Sequence, residues 1–572
     1  MNRKVQLLIS LLAFAGSVVG GSLKTAKDLN SLNSTGLVDV IVQFKHVPTE
    51  VHHRKVTDRG GHLKTELGLI KAGHYSIPAG EVRDLAEDPE VTYISPDRPV
   101  KASLDYANST VGAGLAFQAG FSGSGVGVAV IDSGINDVWD LKLGTSNSVS
   151  RIVYSQSFLT TTKQTSDAFG HGTHVAGILA GNGNYSGGLA NSTRIFRGMA
   201  PQANLINLRV LDQNGNGTDS GVIAAIQQAI SLKSKYNIRV INLSLGRPVF
   251  ESYTQDPLCQ AVEQAWKAGI VVVVAAGNQG RDNSYGNSGY ATIAAPGDDP
   301  YVITVGAMKT MGTLTRADDL IASYSSKGPT LLDHIVKPDI VAPGNRIISL
   351  LASKSLLQSQ SSVNLIPYSY YQNTKSASTS GDYYRLSGTS MAAPMVSGAA
   401  ALLIQQNPSL TADQVKARLM RTATKGFPAY SVATDPVTGI SYTSQYDMFT
   451  VGAGYLDAWA ALNNTDLAPS TVGSALSPTA RYDPATGNVY VNNTAVAGGW
   501  DANAIWSISV VWGPSVSVDS TRKNVVWGSK INAVWGSSGT QGFNTVWGST
   551  AVWGSSNNDA TESTSQLING EN

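Results

Sequence analysis

Cysteine is almost absent: 572 residues hold one, Cys259. A single thiol excludes an intrachain disulfide framework, so stability must come from a large core. Charge is also scarce, at 14% of residues against 42% hydrophobic, which argues against general disorder. The net charge is +1 and no basic tract stands out, so nothing points to nucleic acid or an anionic membrane. Beyond the first residues, no apolar run reaches the ~20 needed to cross a bilayer.

The first residues have a pattern of their own. "MNRK" supplies a positive start, Val5 to Val19 an apolar run of leader length, and Ser17, Gly20 and Gly21 small residues for cleavage. Residues 1–21 therefore read as a removable export signal. The expectation is a secreted or extracytoplasmic protein, free or associated with the cell surface, with no transmembrane helix after signal removal.

Residues 37–100 read as a small α/β unit, with strands in "LVDVIVQF" and "VTYISPD" and a short helix in "EVRDLAEDPE". It contains five of the eight histidines (His46, His52, His53, His62, His74). Their irregular spacing in a charged segment favours solvated surface over a metal site.

From about residue 125 the rhythm changes. "VGVAVI", "ANLINLRV", "RVINLSL", "IVVVVAA" and "YVITVGA" are near-continuous apolar runs separated by helix-period segments. Such runs form a parallel sheet covered on both faces, an α/β fold whose site lies beyond the carboxyl ends of the strands. Cys259, in "PLCQAVEQAWKAG", falls on a helical apolar face and reads as a structural thiol, since nothing basic is placed to activate it. Residues 352–385, rich in Ser and Tyr, read as a surface insertion. After about residue 465 a Val-Trp-Gly-Ser theme recurs at uneven spacing, with seven of the ten tryptophans between Trp500 and Trp553. The spacing argues against a solenoid and for short hairpins or irregular structure.

Three Gly-flanked junctions carry candidate chemistry: Asp132 at the end of "VAVIDSG", His171 in "GHGTHVAG", and Ser390 in "SGTSMAAP". Each alone has a bland reading as a turn cap, a hydrogen-bonded histidine or a helix N-cap. Together they supply what a serine nucleophile needs: a base to take its proton and a carboxylate to orient that base. A helix beginning at the serine directs free N–H groups at a developing oxyanion, and Asn278, after "VVVVAAG", adds a side-chain donor. A zinc helix is excluded, because "HGTHV" has neither the four-residue His spacing nor the intervening glutamate.

With this order and these motifs, "VIDSG", "HGTHVAG" and "GTSMAAP", joined by "INLSLG", "AAGN" and "KPDIVAPG", the chain closely resembles the subtilisin-like serine proteases, or subtilases, over roughly residues 105–465. The resemblance implies a subtilisin-like fold and serine endopeptidase activity on protein or peptide substrates. It assigns the base to His171, leaving His174 as scaffold. It further implies substrate pairing along Ser244, Leu245 and Gly246 on one side and a strand at Gly215, Asn216 and Gly217 on the other. A specificity pocket would be lined by Ala275, Ala276, Gly277 and Ala294, with preference for a large apolar or aromatic residue on the acyl side of the scissile bond.

The implied organisation is an inhibitory propeptide over 22–102, cut near Ala102–Ser103, a catalytic domain over 103–465, and a C-terminal Val-Trp-Gly region over 466–572. No cofactor is required for the chemistry. A structural calcium is implied with Asp140 as a ligand, although "NGNYSGGLANSTRIFRG" is longer than and unlike the family's calcium loop. A monomer is expected. Two other functions fit the same fold: a catalytically silent surface-binding protein using the Trp-rich tail, and a transpeptidase in which an amine captures the acyl-enzyme.

Overall fold

The structure, a computed structural model, describes residues 24–26, 29, 36–96, 102–103, 107–144, 149–187, 191–283, 287–374, 378–435, 438–483, 488–492, 516–518, 524–527 and 567–571. The chain divides into two units, Met1–Lys101 and Ala102–Asn572. The expected signal, residues 1–21, lies outside the described residues.

In the first unit, alternation of apolar and polar residues in β1 (Leu37–Phe44) turns Val40, Val42 and Phe44 inward. The helix α1 (Glu50–Thr57) follows, then β2 (His62–Leu67), β3 (Ala72–Pro78), the short helix α2 (Val82–Ala86) and β4 (Val91–Pro96). The strands form an antiparallel sheet in the order β2-β3-β1-β4. Val56, Tyr75, Ile77, Leu85 and Ile94 complete its core. The sequence reading had β1, β4 and the second helix; α1, β2 and β3 escaped it. The histidines are not uniformly solvated either, since His53 is buried and its Nδ1 meets the Tyr75 hydroxyl at 2.9 Å. Among the described residues no group of His, Cys, Asp or Glu gathers to hold a metal.

The second unit is built on an eight-stranded sheet. Its strands are β5 (Gly127–Asp132), β6 (Ile152–Ser157), β7 (Asn204–Arg209), β8 (Ile238–Leu243), β9 (Val271–Ala275), β10 (Ile303–Lys309), β11 (Leu320–Ile321) and β12 (Ile340–Pro343). The order is β11-β10-β9-β8-β5-β7-β6, with β12 also on β10, and every pairing is parallel except β10 with β11. Strand β9 is buried at every residue, because a parallel sheet has no wet face. Each valine there contributes roughly 1.5–3 kcal/mol of burial.

Two helix pairs cover the sheet: α3 (His171–Ala180) with the long helix α6 (Thr389–Gln406), and α4 (Asp219–Tyr236) with α5 (Pro257–Lys267). Strands β5, β8 and β9 deliver Asp132, Ser244 and the Ala276–Asn278 loop from their carboxyl ends. No helix among the described residues is long and apolar enough to cross a membrane.

Residues 352–385 correct the expected surface insertion. They contribute strands Leu365–Pro367 and Thr379–Leu386, the latter pairing with Ile347–Leu350 in a three-stranded sheet. Leu357, Ile366, Tyr371, Tyr383 and Tyr384 are buried there. The tyrosines interlock edge to face, Tyr371 with Tyr383 at 5.3 Å and Phe196 with Tyr383 at 4.7 Å. A Ser/Tyr composition concealed a core in which each ring is amphipathic.

The border near residue 465 is not a structural break either. Ala468, Ala475 and Ala480 belong to the main core. Residues Thr479–Asp483, Asn488–Asn492, Val516–Val518 and Asn524–Trp527 form a four-stranded antiparallel sheet. Among the described residues, Val525–Trp527 of one Val-Trp-Gly repeat belong to this sheet; the other repeats lie outside the described residues. Ala102–Ser103 pairs in parallel with Arg194–Ile195.

Candidate active site

Asp132 is the last residue of β5 and almost wholly buried. Its Oδ1 accepts the Ser133 N–H at 2.7 Å and lies 2.8 Å from His171 Nδ1, with Oδ2 at 3.0 Å from the same nitrogen. His171 opens α3 after Gly170, whose φ of 107° suits glycine alone. The next residue must be small as well: a Cβ on Gly172 would sit 2.2 Å from the Gly134 carbonyl oxygen.

A second buried acid holds this corner. Asp167 accepts the Ser133 hydroxyl at 2.8 Å, the Gly170 N–H at 2.7 Å and the Thr173 N–H at 2.8 Å. It thereby satisfies donors at the start of α3 that have no partner within the helix. Burial raises the Asp167 carboxyl above its ordinary range, against these hydrogen bonds. At His171 burial pulls the imidazole down, but the Asp132 charge, its hydrogen bond and Asp167 outweigh it and leave the ring above 6.5.

His174 differs from its neighbour in every respect. It is fully buried, its Nε2–H faces the carbonyls of Ile347 and Tyr384 at 3.1 Å each, and its Nδ1 has no partner among the described residues. Burial, with His171 nearby, drives it down to about 3, so it stays neutral.

Ser390 is the second residue of α6, after Gly388 with φ of 147°. Pro394 lies four residues on and cannot donate to the Ser390 carbonyl. The Ser244 hydroxyl donates there instead, at 2.8 Å. In return the Ser390 hydroxyl donates to the Ser244 carbonyl at 3.1 Å. Among the hydrogen bonds of the described residues, none joins Ser390 to His171.

Asn278 stands beside this helix start. Its Oδ1 accepts the Thr389 N–H at 2.9 Å, which leaves the Nδ2 end near Gly388, where an added Cβ would lie 3.3 Å away. The Thr389 hydroxyl also accepts the Gly277 N–H at 3.1 Å. Nδ2 of Asn278 and the N–H of Ser390 thus belong to one small region at the positive end of an 18-residue helix.

Ser244, Leu245 and Gly246 follow β8. Arg247 then bridges to Ala295, with N–H to O distances of 3.0 and 2.8 Å. Ala275, Ala276 and Gly277 run alongside, and the Ala294 N–H donates to the Ala276 carbonyl at 3.0 Å. A Cβ on Gly246 or on Gly277 would come within 3.1 or 3.2 Å of the Ala294 methyl. These segments therefore lie close together, with small groups facing one another. Gly215, Asn216 and Gly217 differ from the expected strand. Asp212 Oδ1 accepts the N–H groups of Asn214 and Asn216 at 2.8 and 2.9 Å, folding the backbone into a turn with Gly215 at φ of 81°. Gly215 abuts the ring of Phe169, which lies 6.2 Å from that of His171.

Asp140 has little to offer a cation. Its oxygens accept the Tyr185 N–H at 2.6 Å and the Tyr383 hydroxyl at 2.8 Å, and burial pushes its carboxyl up to about 7. The buried Arg151 guanidinium donates to its main-chain oxygen at 2.8 Å. These groups do not fit calcium bound at Asp140. Cys259 is buried in α5 with Sγ 3.4 Å from Asp298 Oδ1, and burial with three nearby aspartates raises the thiol far above its ordinary range.

Sequence reasoning missed Asp167, Thr389 and the hydroxyl of Ser244. Asp167 had a signal, an acidic residue just ahead of a helix start. Thr389 and Ser244 had none, because each acts through a contact more than a hundred residues away.

The subtilase family model matches residues 123–440. The chain is 38% identical over 366 residues to serine protease AprX of Bacillus subtilis (strain 168), spanning 62% of this chain and 74% of that protein. It is 33% identical over 392 residues to subtilisin E of the same organism, spanning 67% and 84%. Over 365 residues it is 34% identical to an alkaline protease of Shouchella clausii, spanning 63% and 76%.

Proposed function

The chain belongs to the subtilase family and is a serine endopeptidase, and from that premise we propose that Asp132, His171 and Ser390 are its catalytic triad. The buried His171–Asp132 pair at 2.8 Å carries the reading. The carboxylate keeps the proton on Nδ1, so Nε2 serves as the base. Ser390 gives up its proton to Nε2 as Oγ attacks the scissile carbonyl. The imidazolium, stabilised by Asp132, then protonates the leaving amine, and water hydrolyses the acyl-enzyme by the reverse steps.

In the resting enzyme the Ser390 hydroxyl is engaged by the Ser244 carbonyl. An extended substrate along Ser244–Gly246 claims that carbonyl with its own N–H, and the serine turns to His171. Asn278 Nδ2 and the Ser390 N–H stabilise each tetrahedral oxyanion. The substrate residue on the acyl side is large and apolar, seated beside Ser244–Gly246, Ala275–Gly277 and Ala294, whose side chains are small. Turnover of otherwise identical peptides with Phe or Asp at that position tests this; equal rates would refute it.

Residues 22–102 act as an inhibitory propeptide that leaves by self-cleavage near Ala102–Ser103. The compact first unit and the leader-like residues 1–21 support export of a zymogen, and the mature enzyme acts as a monomer. The chemistry itself requires no cofactor, and Asp140 does not hold a structural calcium.

The test is expression of wild type and Ser390→Ala without residues 1–21. Wild type alone should digest casein and lose its first ~80 residues, which are what remains of the first unit, Met1–Lys101, once residues 1–21 are left out. Equal retention of the full-length band and no caseinolysis in either would sink the proposal.

A further inference from the structure

Residues 567–571 are seated in a built pocket. Glu571 is buried at 6% exposure. Its carboxylate receives Arg281 Nη2 at 2.6 Å, the Ser323 N–H at 2.9 Å and the Ser323 hydroxyl, and pairs with Lys309 Nζ at 3.1 Å. Its main chain is held on both sides by Asn345: the Glu571 N–H donates to Oδ1 and its carbonyl accepts from Nδ2, each at 2.8 Å. Upstream, the Ser387 N–H donates to the Leu567 carbonyl at 2.9 Å, and Asn364 Nδ2 to the Ile568 carbonyl at 2.5 Å. Leu567 packs against the main core.

Burying a carboxylate is costly unless charge and hydrogen bonds replace its water. Here burial works to raise the Glu571 carboxyl, and Lys309, the Ser323 hydroxyl and Arg281 overcome it, holding the group below its ordinary value. A surface tail that lay down by chance would not meet two cations, an amide clamp and two further backbone donors together. The family match ends at residue 440, so this occupant comes from outside the matched region.

The pocket also touches both halves of the catalytic machinery. Arg281 follows Asn278 by three residues, and its Nε donates to the Ser323 hydroxyl at 2.7 Å. The Gly280 N–H donates to the carbonyl of Tyr324, next to Ser323, at 2.7 Å. On the other side Asn345 follows Gly344, whose carbonyl accepts the Gly388 N–H at 2.8 Å, and Ser387 lies three residues before Ser390.

We propose that Arg281, Lys309, Ser323, Asn345 and Ser387 form a binding site for a short acidic peptide, filled by the chain's own residues 567–571. Its occupation holds the Asn278 and Ser390 loops in register, a part that rests on the catalytic reading above. Glu571 is then a positioning residue: it touches no substrate, and its loss lowers turnover rather than substrate binding.

The experiment uses full-length chains. A fluorescent peptide with the sequence of residues 565–572, SQLINGEN, is titrated into Ser390→Ala and into Ser390→Ala with Glu571→Ala. Saturable binding to the double variant, with none to the single variant whose site is already filled, is the expected result. A peptide with alanine for the glutamate should bind at least ~10-fold more weakly. In the active chain, Glu571→Ala should lower kcat about tenfold with KM nearly unchanged, and the wild-type peptide should restore it in trans. Thermal melting checks the fold, and Glu571→Gln, which keeps the shape and drops the charge, serves if the alanine variant does not fold. A folded Glu571 variant with wild-type kcat and no peptide binding overturns the proposal. Because binding is read in an inactive background, its outcome is separate from whether Ser390 is the nucleophile.

Discussion

Thr389 holds Asn278 by its side-chain oxygen: the Thr389 N–H donates to Asn278 Oδ1 at 2.9 Å, and the Thr389 hydroxyl lies 3.1 Å from the same atom. With the oxygen fixed, the amide has one end left to offer, the donor end, beside the nucleophile. The residue before the proposed nucleophile therefore sets the orientation of the proposed oxyanion donor.

Asn278→Ala should lower kcat by ~10²–10³ with little change in KM, the size expected for one lost oxyanion donor. Thr389→Val, which keeps the N–H and removes the hydroxyl, should cost about tenfold by loosening the same amide. Steady-state kinetics on a peptide anilide separates the two; a rise in KM alone would argue for a binding role.

The base must be neutral to act, and His171 is held above 6.5 by Asp132 and Asp167 against the pull of burial. The acidic limb of kcat/KM should therefore have its midpoint above that value. Asp132→Asn should move the midpoint down and lower kcat by about 10⁴, since the tautomer is no longer enforced. A midpoint that ignores Asp132 would detach the pair from the reaction.

His174 makes an opposite prediction for stability. Its folded value near 3 lies below the 6.5 of the unfolded chain. Its contribution is thus whole above pH 6.5 and lost as pH falls toward 3, because only the unfolded chain takes up the proton. Urea melts of Ser390→Ala, chosen to prevent self-digestion, should show stability falling across that window. Adding His174→Asn should flatten the fall.

Asp140 has the reverse sign. Burial raises it to about 7 from 3.8, so its contribution is whole below 3.8 and is lost as pH rises through 7. Asp140→Asn should then match or exceed the parent in stability at pH 8 and gain nothing at pH 4. Added calcium should shift the melting of both chains equally, and a shift confined to the parent would return a calcium ion to Asp140.

The buried sheet was legible because five of its strands are near-continuous apolar runs, and only burial on both faces rewards such a sequence. Strand β6, "IVYSQS", was not, since it lies at the sheet edge with alternating exposure. Asp132, His171, Asn278 and Ser390 were visible through the glycines that crowd them, and Gly172, with 2.2 Å to a carbonyl, gives the physical reason. The core under residues 352–385 was hidden because tyrosine reads as polar in a serine-rich run, though Tyr383 spends its hydroxyl on Asp140 and buries its ring. Glu571 was hidden for another reason. Its partners Arg281, Lys309, Ser323 and Asn345 lie more than two hundred residues upstream, and nothing local marks a terminal glutamate as buried.

The most direct measurement is covalent. A fluorophosphonate reagent, which reports only a serine activated by a base, is added to the mature protein and the adduct located by peptide mass. One adduct is expected, on Ser390, absent in His171→Ala and in heat-unfolded wild type. Labelling at another serine, or peptide hydrolysis that persists in Ser390→Ala, would contradict it.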